Sequence, residues 1–137
     1  LDWLTWYVLH EPISEPDVTI VASGLTVGSA LAAADMLAKE GVMARVVNIV
    51  NHKSIDQSFA KVIADRKPLL TVYNGHAGVL QANVAKVLLE SGHNIPSKMI
   101  GLGFDFGTTG GTDDLLQVYG LDANGIVRTV KKIFSNH

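Results

Sequence analysis

From Asp17 onward, short apolar runs alternate with longer runs of helical character. Val18-Thr19-Ile20-Val21-Ala22 is rich in β-branched residues and ends at Ser23-Gly24, the signature of a strand buried on both faces. Gly28 to Glu40 is rich in Ala and Leu and predicts a helix closed by Gly41. Arg45-Val46-Val47-Asn48-Ile49 predicts the second buried strand. Ser54-Ile55-Asp56-Gln57 reads as a capping box, so a helix is expected from Ser54 to about Asp65. Pro68 precedes a third strand, Leu69–Tyr73, and a helix over Val79–Ser91 closes at Gly92. Met99-Ile100-Gly101-Leu102 is the fourth strand. Thr112 caps a short helix to about Tyr119, and Asp122 caps the last one, to about Phe134.

Strands and helices that alternate in this way predict a parallel sheet with right-handed crossovers and helices on both faces. Ahead of them, Trp3-Leu4-Thr5-Trp6-Tyr7-Val8-Leu9 is strongly β-prone. The linker Glu11-Pro12-Ile13-Ser14-Glu15-Pro16 is too short for a crossover helix, so this strand is expected at an edge, antiparallel to the rest. The expected fold is a three-layer α/β/α sandwich around a five-stranded mixed sheet, four strands parallel and one antiparallel. Residues 1–16 form the edge strand and linker, and residues 17–137 form the α/β domain. A chain of 137 residues suits one domain with one core.

Composition narrows the function classes. Hydrophobic residues make up 47% of the chain and charged residues 18%, which excludes a disordered chain. Eleven Lys and Arg against thirteen Asp and Glu leave a net charge of -2, unlike a nucleic-acid or membrane-surface binder. The absence of cysteine excludes disulfides, thiol catalysis and thiolate metal sites. The charge-free stretch that matters, Val18 to Ala34, is broken by Ser23, Gly24, Thr26, Gly28 and Ser29 into two elements, so no membrane span is expected. The first twenty residues lack the basic start of a secretory signal, and a cytoplasmic setting is expected. The chain opens Leu1-Asp2-Trp3 without a methionine, which predicts a processed chain or a piece of a longer one.

In such sheets ligands bind beyond the carboxyl ends of the strands, where the strand order reverses. The candidate crevice residues are Ser23, Gly24 and Thr26 after the first strand, His52 after the second, and Asn74 and His76 after the third, with Asp105 beyond the fourth. Ser23-Gly24-Leu25-Thr26-Val27-Gly28 resembles a phosphate loop at a helix start, yet it completes neither G-x-G-x-x-G nor a P-loop. Its plainer reading is a tight turn with Ser23 or Thr26 as helix cap. His52, His76 and Asp105 offer a metal or acid–base group but form no ligand motif. Thr108-Thr109-Gly110-Gly111 reads as a lid or anion nest, or more plainly as a loop ending in the Thr112 cap. No G-x-S-x-G elbow is present. No catalytic, cofactor-binding or metal-binding residue is assigned. Trp3, Trp6 and Tyr7 cluster at the expected edge strand, as interface anchors or as aromatics folded back onto the core.

Four segments carry a family resemblance. Asp17-Val18-Thr19-Ile20-Val21-Ala22-Ser23-Gly24, Leu37-Ala38-Lys39-Glu40-Gly41 with Ala44-Arg45-Val46-Val47-Asn48-Ile49, Lys53-Ser54-Ile55-Asp56, and Gly110-Gly111-Thr112-Asp113-Asp114-Leu115-Leu116 with Tyr119-Gly120-Leu121-Asp122 are similar to segments of the transketolase C-terminal domain. The resemblance runs along essentially the whole chain. It departs after the third strand, where Tyr73-Asn74-Gly75-His76 stand in place of acidic residues, a histidine and a G-G-x-G entry, and at Thr26, where the family has an acidic residue.

The resemblance implies a strand order of Trp6–Leu9, Arg45–Ile49, Val18–Ala22, Leu69–Tyr73, Met99–Leu102. It implies an accessory, dimer-supporting piece of an enzyme of pentose phosphate carbohydrate metabolism that moves a two-carbon ketol unit between sugar phosphates. Thiamine diphosphate and Mg would belong to the complete enzyme and not to this chain, which lacks the family's G-D-G and N-N motifs. The implied partners are the remaining transketolase domains or subunit and further copies of the chain, with no nucleic acid and no membrane. Two alternatives stand beside it: the C-terminal domain of a 2-oxoacid dehydrogenase beta subunit, or a free-standing module binding a small anion or nucleotide.

Overall fold

The computed structural model describes residues 6–24, 26–50, 57–73, 79–92, 95–101 and 121–135. In chain order the elements are β1 (Trp6–His10), β2 (Val18–Ser23), α1 (Thr26–Lys39), β3 (Ala44–Ile49), a 3-10 helix (Gln57–Lys61), β4 (Leu69–Tyr73), α2 (Val79–Ser91), β5 (Ser97–Gly101) and α3 (Ala123–Ser135). The sheet order is β1-β3-β2-β4-β5. β1 runs antiparallel to β3, and the other pairings are parallel. This is the predicted order, with the N-terminal strand at an edge. The fourth parallel strand starts at Ser97, two residues ahead of the predicted Met99, because Leu69 already pairs with Ser97. The helix expected over 112–119 lies outside the described residues.

β2 has every side chain buried because it sits in the middle of the sheet under helices on both sides. Alternate residues of a strand face opposite ways. Val18, Ile20 and Ala22 join Val46, Leu70 and Val72 beneath α1 and α3, against Ala30, Leu37, Ile126 and Val130. Val21, Val47, Ile49 and Leu69 face the other layer, against Phe59, Val62, Ile63, Val84 and Val87 of the 3-10 segment and α2. Burial on both faces explains why the strands read as continuous apolar runs and not as alternating ones.

The cap at the end of α1 follows from glycine chemistry. Gly41 has φ +84°, a left-handed conformation that costs a side-chain-bearing residue energy. The Val42 N–H donates to Leu37 O at 2.9 Å and the Gly41 N–H donates to Ala38 O at 3.0 Å, the paired bonds of a Schellman motif. At α3, Asp122 Oδ1 accepts the Gly125 N–H at 2.9 Å, as an N-cap should.

One element differs from the sequence reading. The start of the helix expected from Ser54 to about Asp65 lies outside the described residues, and its described part is a five-residue 3-10 helix, Gln57–Lys61, running into a turn. The Val62 N–H donates to Phe59 O and the Arg66 N–H donates to Ile63 O, both bonds of three-residue span. In an α-helix the Arg66 N–H would reach Val62 O. That carbonyl instead accepts from Arg45 Nη1 at 3.3 Å. Arg66 then takes φ 59° and turns the chain towards Pro68 and β4.

Candidate functional site

The strand order places a crevice where β2 and β4 lie side by side while their connections leave in opposite directions. Gly24, at φ 64°, turns the chain out of β2, and its carbonyl accepts the Val27 N–H at 3.2 Å to start α1. Ser23 and Thr26 meet at this turn. The Thr26 hydroxyl lies 2.7 Å from Ser23 O and 3.0 Å from Val72 O, sharing its proton between them, and it accepts the Ser23 N–H at 3.2 Å. The Ser23 hydroxyl donates to Ile49 O at 2.9 Å. Both side chains are buried.

These two hydroxyls therefore join the carboxyl ends of β2, β3 and β4 across the switch point and are not presented to a ligand. Of the sequence candidates, Ser23, Gly24 and Thr26 are brought together here. His52, Asn74, His76 and Asp105 lie outside the described residues. The donor set in the described part of the crevice does not fit a metal-bound diphosphate, because its hydroxyls are turned onto strand carbonyls and it contributes no carboxylate. Among the described residues no three His, Cys, Asp or Glu gather in a group able to hold a metal ion. No helix among them is long and apolar enough to cross a membrane.

Of the aromatic candidates, Trp3 lies outside the described residues. Trp6 is half-buried and meets Phe59 edge-on, ring centroids 6.0 Å apart at 83°. Tyr7 points to the opposite face, is exposed, and its hydroxyl accepts from Asn48 Nδ2 at 2.9 Å.

A second polar centre was given no role by the sequence reading. Arg45 projects from β3 and its side chain is only 14% exposed. Its Nε donates to Glu11 Oε2 at 2.8 Å and Nη2 to Glu11 Oε1 at 3.3 Å, a bidentate pair. Nη1 reaches Asp65 Oδ2 at 3.0 Å, with Val62 O at 3.3 Å and Thr19 Oγ1 at 3.4 Å. The Glu11 hydrogen bond, helped by Asp65 and opposed by desolvation, holds the Arg45 pKa above the ordinary arginine value. This clasp ties the linker after β1 to the segment that succeeds the 3-10 helix. The signal was present as a lone charge inside an otherwise apolar strand run, which requires partners when buried. Beside the clasp lies a groove of about 350 Å³, whose walls include Trp6, Val8, Lys61 and Ala64.

Comparison with known proteins matches this architecture to one family. The profile of the transketolase C-terminal domain matches residues 8–126. A protein of Methanocaldococcus jannaschii named as a transketolase C-terminal section is 34% identical over 116 residues, covering 83% of this chain and 36% of that protein. A 1-deoxy-D-xylulose-5-phosphate synthase of Gloeobacter violaceus is 33% identical over 124 residues, covering 89% of this chain and 19% of the synthase. Among solved structures, a split-gene transketolase described as an inactive beta4 tetramer superposes with a TM-score of 0.82 at 36% identity, over 95% of this chain and 42% of that one. The chain thus spans between 19% and 42% of the length of these relatives. The chain belongs to the transketolase C-terminal domain family.

Proposed function

We propose that the chain is the C-terminal accessory section of a transketolase-type enzyme that moves a two-carbon ketol unit between sugar phosphates. In this reading it supplies rigidity and contact area, and the cofactor chemistry lies in partner sections. The observation that carries the reading is the family match over residues 8–126 in a chain whose Ser23 and Thr26 hydroxyls are used to join strands. Thiamine diphosphate carries about three negative charges at neutral pH and needs a metal held by oxygen ligands. It also needs a carboxylate set against its aminopyrimidine ring. Both belong to the partner sections, as do thiamine diphosphate and Mg themselves. A cytoplasmic setting in pentose phosphate metabolism belongs to the same reading.

The chain also self-associates in this reading, with Trp3, Trp6 and Tyr7 in the contact segment. The related split-gene transketolase chain, described as a tetramer of four beta chains, supports that step.

Two measurements test the reading. Titrating thiamine diphosphate with Mg into the purified chain by calorimetry should give no saturable heat. Ketol transfer between sugar phosphates should appear only when the chain is combined with a partner carrying the cofactor motifs. Micromolar cofactor binding, or transfer without a partner, would sink it. The relatives named as 1-deoxy-D-xylulose-5-phosphate synthases favour a second reading, in which the same section serves a synthase. The partner whose activity the chain restores decides between the two.

A further inference from the structure

The groove beside the Arg45 clasp has a lining that the accessory role does not use. Trp6 and Val8, alternate residues of β1, face it from one side, and Lys61 and Asp65 face it from the end of the 3-10 helix and the turn after it. Glu11 and Arg45 complete it, and Glu11 lies three residues past Val8, so the clasp stands towards the linker end. The groove opens on the sheet face that carries Phe59 and not on the outer edge of β1. Its volume of about 350 Å³ is at the lower end of the range that takes small molecules.

Val8 is 42% exposed and Trp6 only half-buried, so apolar surface along the groove meets water. The clasp sets two carboxylates against one guanidinium and keeps one negative charge in excess, with the Glu11 and Asp65 side chains 54% and 31% exposed. A carboxylate oxygen accepts more than one hydrogen bond, so both groups can take a further donor. Lys61 is exposed and belongs to no ion pair among the described residues. The groove therefore offers an apolar wall, one surplus negative charge and one uncommitted ammonium.

We propose that this groove binds a free α-amino acid with an apolar side chain. The amino acid's ammonium meets the carboxylates of the clasp, its carboxylate meets Lys61, and its side chain covers Val8 and the ring of Trp6. A compact zwitterion answers both charges at once. A simple amine would set a second cation against Lys61, and a simple acid would set a third carboxylate against the clasp. The apolar side chain follows from the wall that Trp6 and Val8 present. The proposal goes beyond the accessory role and does not depend on it.

Trp6 lines the groove and reports its occupancy. The chain has two tryptophans, so a Trp3→Phe background leaves Trp6 as the single emitter. L-leucine should shift that emission saturably, with a dissociation constant of about 1 mM or tighter. Isoamylamine, which lacks the carboxylate, and isocaproate, which lacks the ammonium, should each bind about tenfold or more weakly. Lys61→Gln should weaken L-leucine binding by about tenfold at an unchanged thermal melt, because the lysine is exposed and unpaired. Lys86→Gln, on an exposed lysine of α2, should leave binding as it was. No saturable response to L-leucine up to ~20 mM overturns the proposal. So does an equal response to isoamylamine or isocaproate, which marks apolar contact alone, or binding indifferent to Lys61→Gln. Ketol transfer restored by a cofactor-bearing partner tests the accessory role separately, and neither result decides the other.

Discussion

The hydroxyl of Thr71 is buried in β4 with no hydrogen-bond partner among the described residues. Strand periodicity sets it on the face of Leu69, towards the apolar layer of Phe59 and Val84. A buried unsatisfied hydroxyl costs about 1–3 kcal/mol. Thr71→Val removes it at almost unchanged shape, and should raise the urea midpoint by an amount worth about 1 kcal/mol. Arg45 is the opposite case, with each of its three guanidinium nitrogens bonded. Arg45→Met should cost about 1–2 kcal/mol, less than a fully buried pair, because the Glu11 and Asp65 side chains are 54% and 31% exposed and regain water. A double-mutant cycle with Glu11→Gln by chemical denaturation measures the coupling, expected at about 1 kcal/mol or below. The folded-state pKa of Arg45 is raised, so its contribution is complete below the unfolded arginine value and fades only as pH climbs through the folded one. The clasp therefore adds no pH dependence through Arg45 across the neutral range. A charge within a buried strand was legible in the sequence. Its partners were not, because Glu11 and Asp65 come from segments that only the fold brings to β3.

Helix α1 has a glycine near its start and another just past its end, and the two should respond to alanine in opposite ways. Gly28 lies in the first turns of α1, and a Cβ added there meets nothing within 4 Å. Gly28→Ala should stabilise the chain by about 0.5–1 kcal/mol, since glycine in a helix carries the larger entropic cost. Gly41 has equal space but φ +84°, so Gly41→Ala should destabilise it by about 1 kcal/mol through backbone conformation alone. Thermal melts of the two variants should move in opposite directions. The terminating glycine was readable from composition because the requirement it meets is local. The 3-10 helix was misread. Ser54 to Gln57 satisfies a capping-box pattern, but the bonds that follow, Val62 N–H to Phe59 O and Arg66 N–H to Ile63 O, close three-residue turns, and Arg45 from β3 bonds Val62 O beside them. A capping box marks where a helix can start and does not fix the span of the bonds after it.

The whole molecule depends on α3 closing the layer it shares with α1. Ile126, Val130 and Ile133 are buried against the sheet and α1, and Lys131 Nζ reaches Glu40 Oε1 at 2.8 Å on the outside. Ile126→Ala should cost about 2–5 kcal/mol, the range for truncating a buried aliphatic side chain. Leu89→Ala, on an exposed leucine, should stay within about 0.5 kcal/mol of the parent in the same urea titrations. The sequence by itself determined the succession of the five strands and of α1, α2 and α3 along the chain, the terminating glycine of α1, and the burial of β2 on both faces. Each follows from local periodicity or backbone conformation, which short stretches of chain encode. The antiparallel edge followed from the shortness of the linker, and the strand order came with the family resemblance. Tertiary structure alone decided what the polar side chains do. It turned the Ser23 and Thr26 hydroxyls inward onto the carbonyls of Ile49, Ser23 and Val72, so a loop that resembles a phosphate cradle became a joint between strands. It also gave Arg45 its two carboxylates. A hydroxyl or guanidinium bonds to whatever lies within about 3 Å, and which groups lie there is set by the packing of segments far apart in the chain.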